Sequence, residues 1–387
     1  MKKTILFALL LPLSVFAQKI DVNKQFKLAE QQYQRMLADH PDTSVTVHSA
    51  KPDGTYRNLP SSWWCSGFFP GGLWQLYERS HDVQWEKAAR LWTAAVEKEQ
   101  FNKGTHDLGF MMYDSFGQEL RLTKDPHAKK VLIQSANSLA SRFDPNVGLI
   151  KSWNSFKGGY TYPVIIDNMM NLELLFWASR ETGDARFRQI AITHADNTMK
   201  NHFRPDNSSY HVILYDVDGK VLAKKQHQGY QDESCWSRGH AWAMYGFVEM
   251  YRNTKDKKYL DFAQKISDYY LNHPNLPADK IPYWDFFAPN IPNEERDASA
   301  GAVAASALLE LSTYSGEKGK RYYADAVKML ESLSSPAYRA ALGENNNFLI
   351  KHCVGAKSLN SEIDVPLIYA DYYYLEGLLR YERYNKK

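Results

Sequence analysis

Three connectors in this chain share one pattern, and that pattern narrows the folds open to it. They are Arg121-Leu122-Thr123-Lys124-Asp125, Arg180-Glu181-Thr182-Gly183-Asp184 and Arg252-Asn253-Thr254-Lys255-Asp256. Each closes one run of helical periodicity and opens the next. In the last two an aromatic residue, Phe187 or Tyr259, stands three positions past the Asp. Recurrence at about 60–70 residues is the mark of a repeated supersecondary unit, here a helical hairpin. Apolar residues at three- and four-residue spacing, as in Leu172, Leu175, Phe176 and Ser179, predict helices over 23–39, 66–79, 83–100, 107–122, 126–142, 163–181, 185–202, 235–253, 257–273, 297–314, 318–333 and 362–382. Six such hairpins can close into an all-α toroid. Inner helices would be apolar all round, as in the small-residue run Ala298–Leu311. Outer helices would be amphipathic, as over 257–272.

The first 17 residues are set aside. Met1-Lys2-Lys3, an apolar run from Ile5 to Phe16 and Val15-Phe16-Ala17 before Gln18 have the form of a secretory signal peptide. The run is too short for a permanent membrane anchor, and no Cys follows the cleavage site to carry a lipid. We expect a periplasmic or secreted protein starting near Gln18, with residues 18–387 as one domain and no membrane partner. The formal charge of +3 includes Lys2 and Lys3, so the mature charge is near +1 (3 − 2). A basic footprint for nucleic acid is absent. Cys65, Cys235 and Cys353 are an odd set for an exported chain, so at least one thiol is free, and each reads first as a small buried hydrophobe. No Cys-x-x-Cys or His-Glu-x-x-His spacing is present, and neither a metal nor an organic cofactor is expected.

Longer loops at 40–64, 143–162, 203–234, 274–296 and 334–361 hold most of the Pro, Asn and Gly. Loops on a rigid scaffold are where binding groups belong. Within 203–230, Tyr210–Tyr215 and the turn Asp216-Val217-Asp218-Gly219-Lys220 predict a small β-hairpin.

Two segments carry the chemistry: His106-Asp107-Leu108-Gly109-Phe110 and Val164-Ile165-Ile166-Asp167-Asn168-Met169-Met170-Asn171. Each sets a carboxylate at the head of an apolar helix, an expensive place for a charge. Such an Asp is either held by hydrogen bonds, as a helix N-cap is, or works as an acid or base. Two of them, among aromatic segments in an exported chain, suit a carboxylate pair acting on sugar. Aromatic residues make up 14% of the chain, with 25 Tyr and 10 Trp. These serve either as core filler or as stacking platforms, and Trp63, Trp64 and Trp153 lie on loops. His106 and His211 are candidates to bond a hydroxyl or orient water. In Gln228-Gly229-Tyr230 and Ser234-Cys235-Trp236-Ser237-Arg238-Gly239-His240-Ala241-Trp242, an Arg lies between two indoles. It either binds a substrate carboxylate, stacks on a ring, or pairs with an internal acid. Asp297 is either a third site carboxylate or an acid at the start of its helix.

Taken in order, Trp64-Cys65-Ser66-Gly67-Phe68-Phe69, the two Asp segments, the block from Gln228 to Trp242, Arg296-Asp297-Ala298-Ser299-Ala300 and Tyr369-Ala370-Asp371-Tyr372-Tyr373-Tyr374-Leu375-Glu376 resemble the unsaturated glucuronyl hydrolases, glycoside hydrolase family 88. The resemblance covers nearly the whole mature chain. It implies an (α/α)6 barrel, and removal of a Δ4,5-unsaturated uronic acid from the non-reducing end of small lyase-generated oligosaccharides by hydration of a vinyl ether. It implies that Asp167 donates the proton to C4 and assists water addition at C5, and that Asp107 is the second essential aspartate. Trp64, His106, Trp153, His211, Gln228, Trp236, Arg238 and Trp242 match positions lining the family's site. Phe69 and His240 depart from the Trp and Gln that many members carry there. Lys357 or Ser358, in the loop Gly355–Asn360, is a candidate to favour a sulfated partner sugar. The competing readings are an unsaturated rhamnogalacturonyl hydrolase on pectin fragments, an inverting glycosidase acting at C1, and a sugar-binding protein without turnover.

Overall fold

The structure, a computed structural model, describes residues 20–51 and 53–385; the expected signal segment at 1–17 lies outside the described residues. In chain order the helices are α1 (Val22–Asp39), α2 (Phe68–Ser80), α3 (Val83–Ala94), α4 (Gln118–Thr123), α5 (Pro126–Ala140), α6 (Leu172–Thr182), α7 (Ala185–Asn201), α8 (Ser237–Thr254), α9 (Lys257–Asn272), α10 (Ala298–Ser312), α11 (Glu317–Ser334) and α12 (Ile368–Asn385). A π-helical segment, Gly109–Gly117, runs directly into α4. The even-numbered helices form the inner ring. α8 packs on α10, α10 on α12, and α12 on α2; α2 meets the π-helical segment, which touches the turn preceding α6, and that turn packs on α8. The ring is therefore closed, and the odd-numbered helices lie outside it, as α3 does on α2, α9 on α8 and α11 on α10.

The connector pattern has a local cause. Lys124, Gly183 and Lys255 adopt left-handed backbone with φ 61°, 74° and 58°, which ends one helix. The following Asp125, Asp184 or Asp256 caps the next helix by accepting a backbone N–H from the residue two positions on. Thr182 and Thr254 link the two ends: each hydroxyl donates to a carbonyl four residues back and accepts the N–H of the capping Asp at 3.1 Å. Ser80, His81 and Asp82 repeat the device between α2 and α3. Inner and outer helices differ as expected. Every residue of α10 from Ala298 to Leu311 is buried. α9 buries Tyr259, Leu260, Ala263, Ile266, Ser267, Tyr270 and Leu271 and leaves its charged face in solvent.

Three expectations are corrected. The helix expected from 163 begins only at Leu172. Tyr162–Ile165 is a strand and 166–171 is a 3-10 turn. The run Tyr162–Ile165 is apolar on both faces, and periodicity alone cannot tell a short buried strand from a helical turn. The helix expected from 362 begins at Ile368, because Ser361–Val365 is also a strand. The single hairpin becomes four small antiparallel sheets among the described residues. The strands are β1 (Thr46–Ala50), β2 (Tyr56–Leu59), β3 (Phe143–Asp144), β4 (Leu149–Ile150), β5 (Tyr162–Ile165), β6 (Val212–Tyr215), β7 (Val221–Lys225), β8 (Cys353–Ala356) and β9 (Ser361–Val365). The expected hairpin is β6–β7, and β5 adds to its open edge. Among the described residues no helix is long and apolar enough to cross a membrane.

Candidate active site

The inner helices run parallel, so their N-terminal ends meet at one mouth of the ring. Asp107 lies two residues before the π-helical segment, Asp167 in the turn before α6, Trp236 at the N-cap of α8 and Asp297 at that of α10. The two Asp segments dock on each other through Gly109 and Asn171. The N–H of Phe110 donates to Asn171 Oδ1 at 3.0 Å. A Cβ on Gly109 would stand 2.5 Å from Asn171 Cα, so glycine is required there for the close approach.

Each aspartate has its own histidine. His106 Nε2 is 3.1 Å from Asp107 Oδ1. Ser152 Oγ accepts the Ile165 N–H at 2.9 Å, which leaves its own proton for His106 Nδ1 at 3.4 Å. That leaves the His106 Nε2 proton on the Asp107 side without a hydrogen bond to it, and burial favours the neutral ring by pushing its pKa down. On the other side, β5–β6 pairing sets Ile165 opposite Val212, and the Ile166 N–H donates to the His211 carbonyl at 3.0 Å. This register brings His211 beside Asp167. The Gln228 N–H donates to His211 Nδ1 at 3.2 Å, so in the neutral ring Nε2 carries the proton and faces Asp167 Oδ2 at 3.5 Å. Asp167 Oδ2 is buried and has no hydrogen-bond partner among the described residues.

Burial pushes the Asp107 carboxyl above the usual carboxylate range, and the charge of Asp167 adds to the rise. His106, the Thr105 hydroxyl at 2.6 Å and the charge of Arg142 act the other way.

Of the predicted binding residues, Trp64 is half-buried against Phe68, Phe110 and Tyr369. Trp153 stacks on Phe156, with ring centres 5.9 Å apart, and meets His211 and His227 at ring edges. Burial pushes His227 down to about 4, so this ring joins the cluster as a neutral aromatic. Trp236 lies 4.5 Å from the His211 ring. The Gln228 side chain donates to the Gly355 carbonyl at 3.0 Å, tying this segment to β8.

Two predicted residues sit in the wall instead. Trp242 is fully buried between Phe110 and Tyr373. Arg238 is 1% exposed; its Nη1 binds Asp297 at 2.6 Å and the Val354 carbonyl, and its Nη2 binds the Gly355 carbonyl at 2.5 Å. Trp236 and Tyr369 cover its guanidinium. Of the readings open to Arg238, the internal pair and the ring stack are those present, with Nε alone left without a partner. Asp297 accordingly caps α10 and holds Arg238. Lys357 is committed as well: its ammonium contacts Glu294 at 2.6 Å and also Glu295, while the Ser358 hydroxyl donates to the His227 carbonyl. All three cysteines are free and buried.

Sequence reasoning missed Arg142, Ser152, Tyr369 and Asn168, whose side chain lies against His106 and donates to the Ile150 carbonyl at 2.9 Å, as members of the site. Ser152 and Asn168 adjoin predicted residues, and Tyr369 stands in a quoted motif; nothing local marks Arg142. A cavity of about 480 Å³ opens toward the other ends of the inner helices, lined by Asp114, Trp177, Arg252 and Glu376 among others, and is remote from the aspartate pair. Among the described residues no group of three or more His, Cys, Asp or Glu is placed to hold a metal ion.

Residues 29–386 match the model of Glycosyl Hydrolase Family 88. An unsaturated glucuronyl hydrolase of Formosa agariphila is 42% identical over 365 residues, covering 93% of this chain and 90% of that protein. An unsaturated chondroitin disaccharide hydrolase of Streptococcus agalactiae is 33% identical, covering 84% of this chain and 83% of its own length. A crystal structure of an unsaturated glucuronyl hydrolase specific for heparin superposes with a TM-score of 0.92 at 48% identity, covering 95% of this chain and 98% of the other. With two histidine-paired aspartates at one mouth of a closed helical ring, and a family match spanning almost all of the described chain, this protein belongs to glycosyl hydrolase family 88.

Proposed function

We propose that this chain removes a Δ4,5-unsaturated uronic acid from the non-reducing end of a glycosaminoglycan-type disaccharide by vinyl ether hydration. The observation that carries the reading is the Asp167 carboxyl: its Oδ2 is buried, has no hydrogen-bond partner among the described residues, and lies 3.5 Å from His211 Nε2. A carboxyl that no hydrogen bond ties down at that oxygen, and whose side chain is still 10% exposed, is available to a substrate. In its protonated form Asp167 gives its proton to C4 of the alkene. As the resulting carboxylate it takes a proton from the water that adds at C5, and the acid is restored. The hemiketal formed at C5 opens, frees the second sugar and leaves a 5-keto acid. The balance is one water consumed, with no external base needed. The usual inference from carboxylate separation to retention or inversion does not apply, because C1 is not the electrophile.

The uronate carboxylate needs positive surroundings. α2, α6 and α8 point their N-termini at this mouth without a side-chain cap, while α10, at the same mouth, is capped by Asp297. Uncapped N–H groups and the positive helix ends favour an anion. Trp64 and the Trp153–Phe156 stack offer faces for the sugar rings. The N-terminal segment supports export, which N-terminal sequencing of the mature protein from a periplasmic fraction, expected to begin near Gln18, would test.

Incubation with unsaturated heparin and chondroitin disaccharides tests the activity. Vinyl ether hydration removes the ultraviolet absorbance of the conjugated alkene. Release of the second sugar with that absorbance intact would instead indicate attack at C1, and no change on any unsaturated disaccharide would overturn the reading.

A further inference from the structure

Arg142 lies just beyond the C-terminus of α5 and is only 8% exposed. Its Nε donates to the Lys151 carbonyl at 2.7 Å and its Nη2 to the Ser152 carbonyl at 3.2 Å. Its Nη1 donates to the Lys103 carbonyl and, at 3.4 Å, to Asn154 Oδ1. Lys103 begins the approach to His106 and Asp107. Lys151 and Ser152 belong to the segment bearing Trp153, which is bonded to β5 through the Ser152 N–H and the Pro163 carbonyl at 2.9 Å. β5 leads into Asp167. One guanidinium thus joins the two segments that bring the aspartates together.

Its charge has no ion-pair partner among the described residues. Among the described residues every Arg142 hydrogen bond ends on a neutral oxygen, and no carboxylate forms a salt bridge with it. Its electrostatic influence falls on Asp107 and His106, and on Tyr162 of β5. Arg238 is the contrasting case, since Asp297 neutralises it. A buried guanidinium satisfied only by carbonyls costs desolvation without a compensating charge, which is unusual unless the charge serves a neighbour.

We propose that Arg142 is a positioning residue of the reaction, its guanidinium fixing the separation of the two aspartate-bearing segments from the side of Asp107. This rests on the function proposed above. The groups facing Asp107 are His106 and Thr105 from its own segment, Asp167 from the turn before α6, Arg142 from beyond α5, and the Cys65 thiol from the segment after Trp64. Arg142 is the one fixed cation in that set.

The test compares pH profiles of kcat for wild type, Arg142→Met and Arg142→Lys on an unsaturated disaccharide, with thermal unfolding of each. Removing the cation raises the Asp107 pKa, so a rate that needs ionised Asp107 loses its acidic limb at higher pH in Arg142→Met. Arg142→Lys keeps the charge but cannot reach three carbonyls at once. Its acidic limb should stay within a few tenths of a unit of wild type while kcat falls roughly 10- to 100-fold, the scale of a misplacement of about 1 Å. A folded Arg142→Met with an unmoved acidic limb overturns the electrostatic role. A kcat for Arg142→Lys within threefold of wild type overturns the positioning role. If Arg142→Met fails to fold, Arg142→Lys carries the test; if neither folds, Arg142 is structural and the proposal falls. Inactive wild type refutes the proposed function instead, so the two failures are distinct.

Discussion

Replacing Gly109 with alanine tests whether the contact between the two aspartate segments sets the catalytic geometry. The added Cβ would stand 2.5 Å from Asn171 Cα, 2.6 Å from Asn171 Oδ1 and 3.0 Å from Asn171 Cβ. The nearest atom is backbone, so no flexible side chain can swing away. Restoring an ordinary contact of about 3.5 Å requires the π-helical segment and the turn before α6 to part by about 1 Å. That movement strains or breaks the Phe110 N–H bond to Asn171 Oδ1 and separates Asp107 from Asp167. Overpacking of this kind costs about 1–3 kcal/mol of stability, which a protein with this much buried core should survive. A displacement of about 1 Å at a reacting centre costs on the order of 10²-fold in rate. We therefore expect a folded variant with kcat down about 100-fold and KM changed much less, read from loss of the alkene absorbance. Gly183→Ala is the control. Gly183 has φ 74° and open space at its Cβ position, and lies at the far end of α6. It should lose roughly 1–2 kcal/mol from left-handed strain with activity unchanged. A Gly109→Ala enzyme within threefold of wild-type kcat would refute the claim that this contact sets the site.

Asp167→Asn should fold normally and lose roughly 10²–10⁴-fold in turnover, because the amide keeps the shape and cannot deliver a proton; activity within a few-fold of wild type would remove Asp167 from the chemistry. Arg238→Ala should lower the urea midpoint of unfolding, since it leaves Asp297 buried and unpaired at a cost of about 3–5 kcal/mol; a change in KM with stability unaltered would show that its role is to bind substrate. Lys357→Ala should change KM for sulfated and unsulfated disaccharides in the same proportion, because Glu294 and Glu295 already hold the ammonium; a tenfold selective loss on the sulfated substrate would show that the lysine is released to bind it.

Much of this protein was determined locally. A left-handed residue followed by an Asp cap needs only a few neighbouring residues, so Lys124-Asp125, Gly183-Asp184 and Lys255-Asp256 marked hairpin turns that the structure contains. Apolar periodicity located the inner and outer helices for the same reason: each helix face is written at intervals of three and four residues. The motifs around Asp107 and Asp167 were legible because a carboxylate at an apolar helix head is chemically conspicuous. What tertiary structure alone decided are the partnerships across long chain separations. Tyr162–Ile165 became a strand because β6, nearly 50 residues on, offered an edge for it, and that register placed His211 at Asp167. Arg238, read as a candidate for the substrate carboxylate, is held by Asp297, 59 residues away, and by carbonyls of β8 more than 110 residues away. Lys357 is neutralised by acids 62 and 63 residues before it. Arg142 drew no notice because its role lies in carbonyls, which every residue carries and no side-chain pattern reveals. Side-chain type declares what a residue can do; whether its charge is free to do it depends on which partner the folded chain brings within about 3 Å.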